Sequence, residues 1–369
     1  MVEKLHILHV VGAMEIGGIE NMLMTLMPYM KDKGVIFDFA VHGKHIGIHE
    51  AKVKELGGSV YHLPKFIGVN MISYIIAWCK LLFAHPELKI IHGHMTSTAS
   101  LYLGVAKCYG RVTIAHSHST STSGGLVVRG IKRLLEYPLR YLSDYLCSCS
   151  VDAADYRFGK GIYKRNNYFL WHNPIEIKKF KFSKEKRRAY REKIGVSKHT
   201  IVIGHVGRMV AAKNHRFLVD IFAAYKQLNS DSKLLLLGSG ELQNEIKKYV
   251  VDRGMSDDVI FTGGVLNTAD YLSAMDVFCF PSLYEGLSIS LIEAQTNGLL
   301  CIASDRIPVE CKFSDDIFFL SLEMGALEWG EFISNRMKVK NNRYSDIKNP
   351  YDVSVAINEI YRFYAGIVG

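Results

Sequence analysis

Residues 281–294 read Pro281-Ser282-Leu283-Tyr284-Glu285-Gly286-Leu287-Ser288-Ile289-Ser290-Leu291-Ile292-Glu293-Ala294. The apolar run Val277–Phe280 predicts a strand that ends at a proline turn, and Glu285-Gly286 then leads into a helical pattern. Two carboxylates eight positions apart fall on this path, Glu285 on the loop and Glu293 inside the helix. The backbone N–H groups of Gly286, Leu287 and Ser288 stand at the helix start, where no intrahelical carbonyl reaches them. They suit a phosphate or a sugar hydroxyl. Ionised carboxylates beside them are strong acceptors for hydroxyl groups. Two exposed acids at an ordinary helix start are the plainer reading of the same residues.

A second segment of the same build lies upstream, His205-Val206-Gly207-Arg208-Met209-Val210-Ala211-Ala212-Lys213-Asn214. A strand ends at Gly207, and two cations five residues apart sit on the following loop and helix start. A guanidinium fork beside a compact ammonium charge is what a diphosphate requires. Two surface cations with no ligand are the alternative.

Short apolar runs alternate with amphipathic stretches along the whole chain. Leu5–Val11, Val35–Val41, Ser59–Leu63, Ile90–His92, Val112–His116 and Tyr145–Ser150 read as strands, with helical material such as Met22–Met30 between them. His172-Asn173-Pro174-Ile175 breaks the rhythm, and the charged run Lys178–Lys193 follows. A second series then opens with Thr200–Val206, Lys233–Leu237, Val259–Thr262, Val277–Phe280 and Leu300–Ala303. The pattern predicts two doubly wound, Rossmann-like α/β domains facing a cleft, one over residues 1–175 and one over 176–350. The final segment, 351–369, carries a helical pattern over Val353–Tyr364 that is expected to pack back on the first domain.

Near the N-terminus, Gly17-Gly18-Ile19-Glu20 follows the first strand and opens a helix, where glycines let a ligand approach the backbone. It is not a G-x-G-x-x-G, so a dinucleotide reading gains little. The E-x7-E segment, the G-R-x(4)-K segment and this G-G-x-E turn together resemble the family-four retaining glycosyltransferases of the GT-B fold, of the bacterial capsular and exopolysaccharide type. Gly238-Ser239-Gly240-Glu241-Leu242, Phe261-Thr262-Gly263 and Tyr271-Leu272-Ser273-Ala274-Met275-Asp276-Val277 extend the resemblance in the expected order.

The resemblance implies that Arg208 and Lys213 bind the donor diphosphate, Glu285 the donor sugar and Glu293 the nucleotide ribose. It places Gly17 and Gly18 against the phosphate and acceptor side, with Glu20 toward the acceptor. Gly238, Gly240 and the stretch after Gly263 would border the base, and Gly286, Leu287 and Ser288 the donor. The family has a functional histidine at the end of the strand Val112–His116, which matches His116, with His118 beside it as an acceptor contact. The implied reaction moves a hexose from a nucleotide-sugar, with UDP the expected nucleotide, to a sugar hydroxyl of a lipid-linked oligosaccharide.

Composition narrows the alternatives. The 369 residues are 49% hydrophobic and 22% charged, ordinary for a globular enzyme. The longest apolar stretch, Val69–Cys79, is too short to cross a bilayer, and Glu3 and the histidines spoil a secretory signal. A cytoplasmic protein is therefore expected, with its seven scattered cysteines reduced. The net charge of +9 is lopsided: residues 1–180 hold 21 Lys and Arg against 13 acids, and the remainder 24 against 23. Such a field suits an anionic partner. In 126–142, apolar residues at 128, 131, 135, 139 and 142 follow helical spacing, with Arg129, Lys132, Arg133 and Arg140 between them. This predicts a peripheral contact with the inner face of an anionic membrane. Nucleic acid is not expected, because basic residues do not interleave with aromatic ones. Asp257-Asp258 reads as a solvated turn rather than a Mg²⁺ site, so no cofactor or metal is expected. Two other readings remain: a GT-B nucleotide-sugar epimerase, and a metal-binding protein built on His92-Gly93-His94 and His116-Ser117-His118.

Overall fold

The computed structural model describes residues 4–119, 125–171, 173–339, 343 and 349–368, so His172 lies outside the described residues. The chain divides into two compact units. One holds the residues up to Ile175 and those from Tyr351 onward; the other runs from Glu176 to Pro350.

The first unit is built on β1 (Leu5–Val11), β2 (Val35–His42), β3 (Val60–Leu63), β4 (Leu88–Gly93), β5 (Val112–Ser117), β6 (Tyr145–Ser148) and β7 (Tyr168–Leu170). They form one sheet in the order β3-β2-β1-β4-β5-β6-β7, with every neighbouring pair parallel. β1 and β2 are buried over most of their length, as strands covered on both faces must be. The order reverses between β1 and β4, and loops leaving the carboxyl ends there diverge and open a crevice. The final helix, Val353–Val368, belongs to this unit. Its Phe363 stacks on Phe169 at 4.5 Å between ring centres, and its Tyr364 is fully buried.

The second unit holds β8 (Ile201–Val206), β9 (Ser232–Leu237), β10 (Val259–Gly263), β11 (Val277–Phe280), β12 (Leu300–Ser304) and β13 (Ile317–Leu320). Their order is β10-β9-β8-β11-β12-β13, again all parallel, with the reversal between β8 and β11. Two doubly wound parallel sheets are the fold class that the alternation predicts. The sequence reading lacks only the edge strands β7 and β13.

The charged run becomes a brace for the second sheet. Ser183 caps the helix Lys184–Lys193 by accepting the Lys186 N–H at 3.2 Å. From that helix Arg187 reaches Asp276 Oδ1 at 2.6 Å and Arg191 reaches Asp276 Oδ2 at 3.1 Å. Asp276 Oδ2 also accepts the Val202 N–H at 2.8 Å, which ties the start of β8 to the start of β11. On the far side, Gly330 lets the helix Ala326–Val339 approach the helix His215–Leu228, since a Cβ there would lie 2.9 Å from the Tyr225 nitrogen.

One expectation needs correcting. The stretch 126–142 is not one amphipathic helix but two, Leu126–Glu136 and Leu139–Leu142, divided at Pro138, which has no N–H to donate. Leu139 is fully buried and Leu135 and Leu142 are half-buried, so the outward apolar set is Val127, Val128, Ile131, Leu134, Tyr137 and Tyr141.

The loop after β9 depends on a glycine. Gly238 has φ +128°, and a Cβ there would lie 2.1 Å from the Gly207 carbonyl oxygen. Gly238→Ala is expected to destabilise the protein by at least about 2 kcal/mol through a disallowed φ and displaced backbone. Thermal unfolding should show Tm lower by roughly 4–8 °C; an unchanged Tm would mean that the loop adapts freely.

Candidate functional site

In the second unit the reversal point is occupied by the two loops that the sequence singles out. The loop after β8 starts at Gly207, whose N–H is held by the Leu237 carbonyl at 2.9 Å. The loop after β11 is tied to it through the Leu283 N–H, which donates to the Ala212 carbonyl at 2.8 Å. Between them Lys213 Nζ meets Glu285 Oε1 at 2.6 Å, with the side chains only 17% and 13% exposed. The ammonium also lies 4.7 Å from the centre of the Phe280 ring. Arg208 is exposed on the same loop and forms no ion pair among the described residues. The structure thus brings together Arg208, Lys213 and Glu285, and the last two are partners of each other.

Gly286, Leu287 and Ser288 are buried and precede the helix Ile289–Thr296, with Ser288 in the capping position. Glu293 lies half-buried in that helix, and burial pushes its carboxyl up to about 8. At neutral pH it is therefore largely protonated and can donate as well as accept, where the sequence reading makes it an acceptor only. Gly238 and Gly240 pack on the backbone of the Arg208 loop: Met209 donates to the Ser239 carbonyl at 3.0 Å, and a Cβ on Gly240 would lie 2.4 Å from the Met209 carbonyl oxygen. Gly263, with φ +70°, closes the same layer by accepting the Gly238 N–H at 2.8 Å. Asp258 is no solvated turn residue: Lys226 and Lys233 hold its Oδ1 at 3.0 and 2.9 Å. Beneath the clamp, His205 and His215 are buried and neutral, and burial is the main cause in both.

In the first unit Gly17 caps the helix Gly18–Asp32 in an extended conformation. The Glu20 carboxylate folds back over it, so that a Cβ on Gly17 would lie 2.2 Å from Glu20 Oε2. His116 is fully buried at the end of β5, and its Nδ1 meets His92 Nε2 at 3.1 Å. His92 Nδ1 in turn meets the Tyr364 hydroxyl at 2.7 Å. His118 is half-buried and its Nε2 meets His94 Nδ1 at 2.8 Å, while His94 Nε2 meets His9 Nδ1 at 2.9 Å. Burial holds all five imidazoles well below the usual histidine range, His118 at about 3. Sequence reading finds the two H-x-H pairs but misses His9 and Tyr364. His9 shows in the sequence only as a polar residue inside the apolar run Leu5–Val11, and nothing local connects residue 364 to residue 92.

Residues 186–316, which span β8 to β12 and both loops, match the family model of the glycosyl transferases group 1. The chain is 30% identical over 304 residues to the putative glycosyltransferase EpsF of Bacillus subtilis, covering 82% of this chain and 79% of EpsF. It is 26% identical over 290 residues to the UDP-Gal:alpha-D-GlcNAc-diphosphoundecaprenol alpha-1,3-galactosyltransferase of Escherichia coli, covering 76% and 73% of the two chains. Among solved structures, Anabaena HepE in complex with UDP and glucose shares the fold with a TM-score of 0.80 at 16% identity, covering 97% of this chain and 99% of HepE. Two parallel α/β units, the ordered motif loops and a relative alike over most of both chains lead to one assignment: the protein is a glycosyltransferase of the GT-B fold and belongs to the group 1 family.

Proposed function

We propose that the enzyme moves a hexose from a UDP-sugar to a sugar hydroxyl of a lipid-linked oligosaccharide in surface polysaccharide synthesis, with retention of anomeric configuration and without a metal ion. The observation that carries this reading is the Lys213–Glu285 pair, which sets a cation and a carboxylate side by side where β8 and β11 diverge. A leaving diphosphate needs the cation, and the hydroxyls of the departing sugar need the carboxylate. Arg208 adds a second cation, and the N–H groups of Gly286 to Ser288 add helix-start donors. Each hydrogen bond to a charged group contributes about 1.5–3 kcal/mol. Two cations with oriented amides are therefore of the size needed to meet the charge that develops on the leaving group.

No carboxylate of the motif loops stands out as a covalent nucleophile, since Glu285 is assigned to the hydroxyls of the donor sugar, and this favours front-side attack. In that step the bond from the anomeric carbon to the phosphate oxygen breaks, the bond to the acceptor oxygen forms on the same face, and the acceptor proton passes to the phosphate. The UDP donor and lipid-linked acceptor draw support from the names of the Escherichia coli galactosyltransferase and the HepE complex. On this reading the first unit serves the acceptor, with Glu20, His116 and His118 toward it, and the second unit serves the donor.

The acceptor lipid requires a membrane surface. Residues 56–136 hold eight Lys and Arg and two acids, Glu87 and Glu136. Within them the helix Leu126–Glu136 exposes Val127 and Leu134, each at 75%, beside Arg129 and Arg133. An apolar strip flanked by cations suits the plane of an anionic bilayer.

Arg208→Ala is expected to cost at least about tenfold in kcat/KM from the loss of one charge-assisted contact, and EDTA should not lower activity. Glu285→Gln should retain UDP binding and lose most transfer. EDTA inhibition reversed by Mg²⁺ would overturn the metal-free mechanism, and turnover of UDP-sugar without acceptor would mark an epimerase. Reversing Arg129, Lys132 and Arg133 to Glu should abolish sedimentation with anionic vesicles, at roughly 1 kcal/mol per basic residue. Wild-type protein that ignores such vesicles at low salt would refute the membrane contact alone.

A further inference from the structure

The transferase reading leaves most of the histidine cluster unused. β1 and β4 are register partners at His9 and His92, and His94, His116 and His118 complete the group at the carboxyl ends of β4 and β5. Three ring nitrogens in it, His9 Nε2, His116 Nε2 and His118 Nδ1, are buried without a hydrogen-bond partner among the described residues. A buried polar atom left unpaired costs about 1–3 kcal/mol, and an ion held by His94, His116 and His118 would give His116 Nε2 its partner.

We propose that His94, His116 and His118 bind one divalent transition-metal ion of the Zn²⁺ class, with His9, His92 and Tyr364 fixing the ligand rings. One nitrogen from each of the three imidazoles lies within 4.8 Å of the others. Zn²⁺ needs them at about 2.0–2.1 Å from a common centre and so about 3.3 Å from one another, and the ion would replace the 2.8 Å His94–His118 hydrogen bond as that pair opens and His116 closes in. An all-imidazole set selects Zn²⁺, Co²⁺, Ni²⁺ or Cu²⁺ over Mg²⁺ and Ca²⁺, which take oxygen ligands.

The remaining nitrogens are placed as ligand histidines require. His94 Nε2 is held by His9 and His116 Nδ1 by His92, and His92 is fixed by the Tyr364 hydroxyl. Such outer contacts set the tautomer and orientation of a metal-bound imidazole. The other close trio, His9, His92 and His94, is buried throughout, whereas the half-buried His118 gives the outer trio an entrance. The proposal concerns the first unit only and does not depend on how the donor diphosphate is bound; it gives His116 and His118 a ligand role in place of the acceptor contact proposed above.

The test is titration of the chelator-stripped full chain with Co²⁺. One ion per chain should bind and give the intense visible absorption of a four-coordinate imidazole site, which Zn²⁺ should bleach. His118→Ala and His94→Ala should each weaken Co²⁺ binding at least tenfold with an unchanged circular dichroism spectrum, while His199→Ala, at an exposed position in the second unit, should not. If His94→Ala fails to fold, the His118 variant and the wild-type spectrum still decide. The weak spectrum of six-coordinate Co²⁺, or equal affinity in wild type and His118→Ala, would overturn the proposal.

Discussion

A little-exposed ion pair between two loops distant in sequence, Lys213 with Glu285, is the contact on which the proposed donor site depends. The pair exists because β8 and β11 are neighbours, and that adjacency is secured at their other ends. There Asp276 gathers Arg187, Arg191 and the Val202 N–H. The brace at one edge and the clamp at the other are thus two ends of the same strand pairing. In the proposed reaction a diphosphate competes with Glu285 for Lys213, and the released carboxylate turns to the sugar. Charge that is neutralised within the protein before binding is then neutralised against the ligand.

The glycines around this clamp have a plain mechanical reason. Gly238 and Gly240 lie against the backbone of residues 207–209, where a side chain would have no room. Their presence in a motif therefore reports first on loop packing, and any contact with a nucleotide base comes through the loop they shape. Gly17 is of the same kind, kept bare by the Glu20 carboxylate that folds over it.

Much of this was legible from residue order alone. Long apolar runs gave the central strands, and the motif loops fell at the strand ends where a doubly wound sheet places its ligands. Contacts that span the chain were not legible. Nothing in the charged run Lys178–Lys193 announces that Arg191 will seek Asp276, because that pairing is made by folding. Helical spacing at 128, 131, 135, 139 and 142 could not show which stripe faces the core, and Leu139 proves to be the buried end. Glu293 reads as an ordinary carboxylate until its burial is known, and that burial keeps its proton on at neutral pH.

In the proposed mechanism Arg208, Lys213 and the helix start beyond Glu285 do the work a metal ion does elsewhere, with the leaving phosphate guiding attack from its own side. The most direct measurement is the anomeric configuration of the first-formed product, read by proton NMR during turnover of an α-linked UDP-hexose in the presence of EDTA. The account predicts an α-linked product at an undiminished rate. A β-linked product, or turnover that stops with the chelator and returns with Mg²⁺, would contradict it.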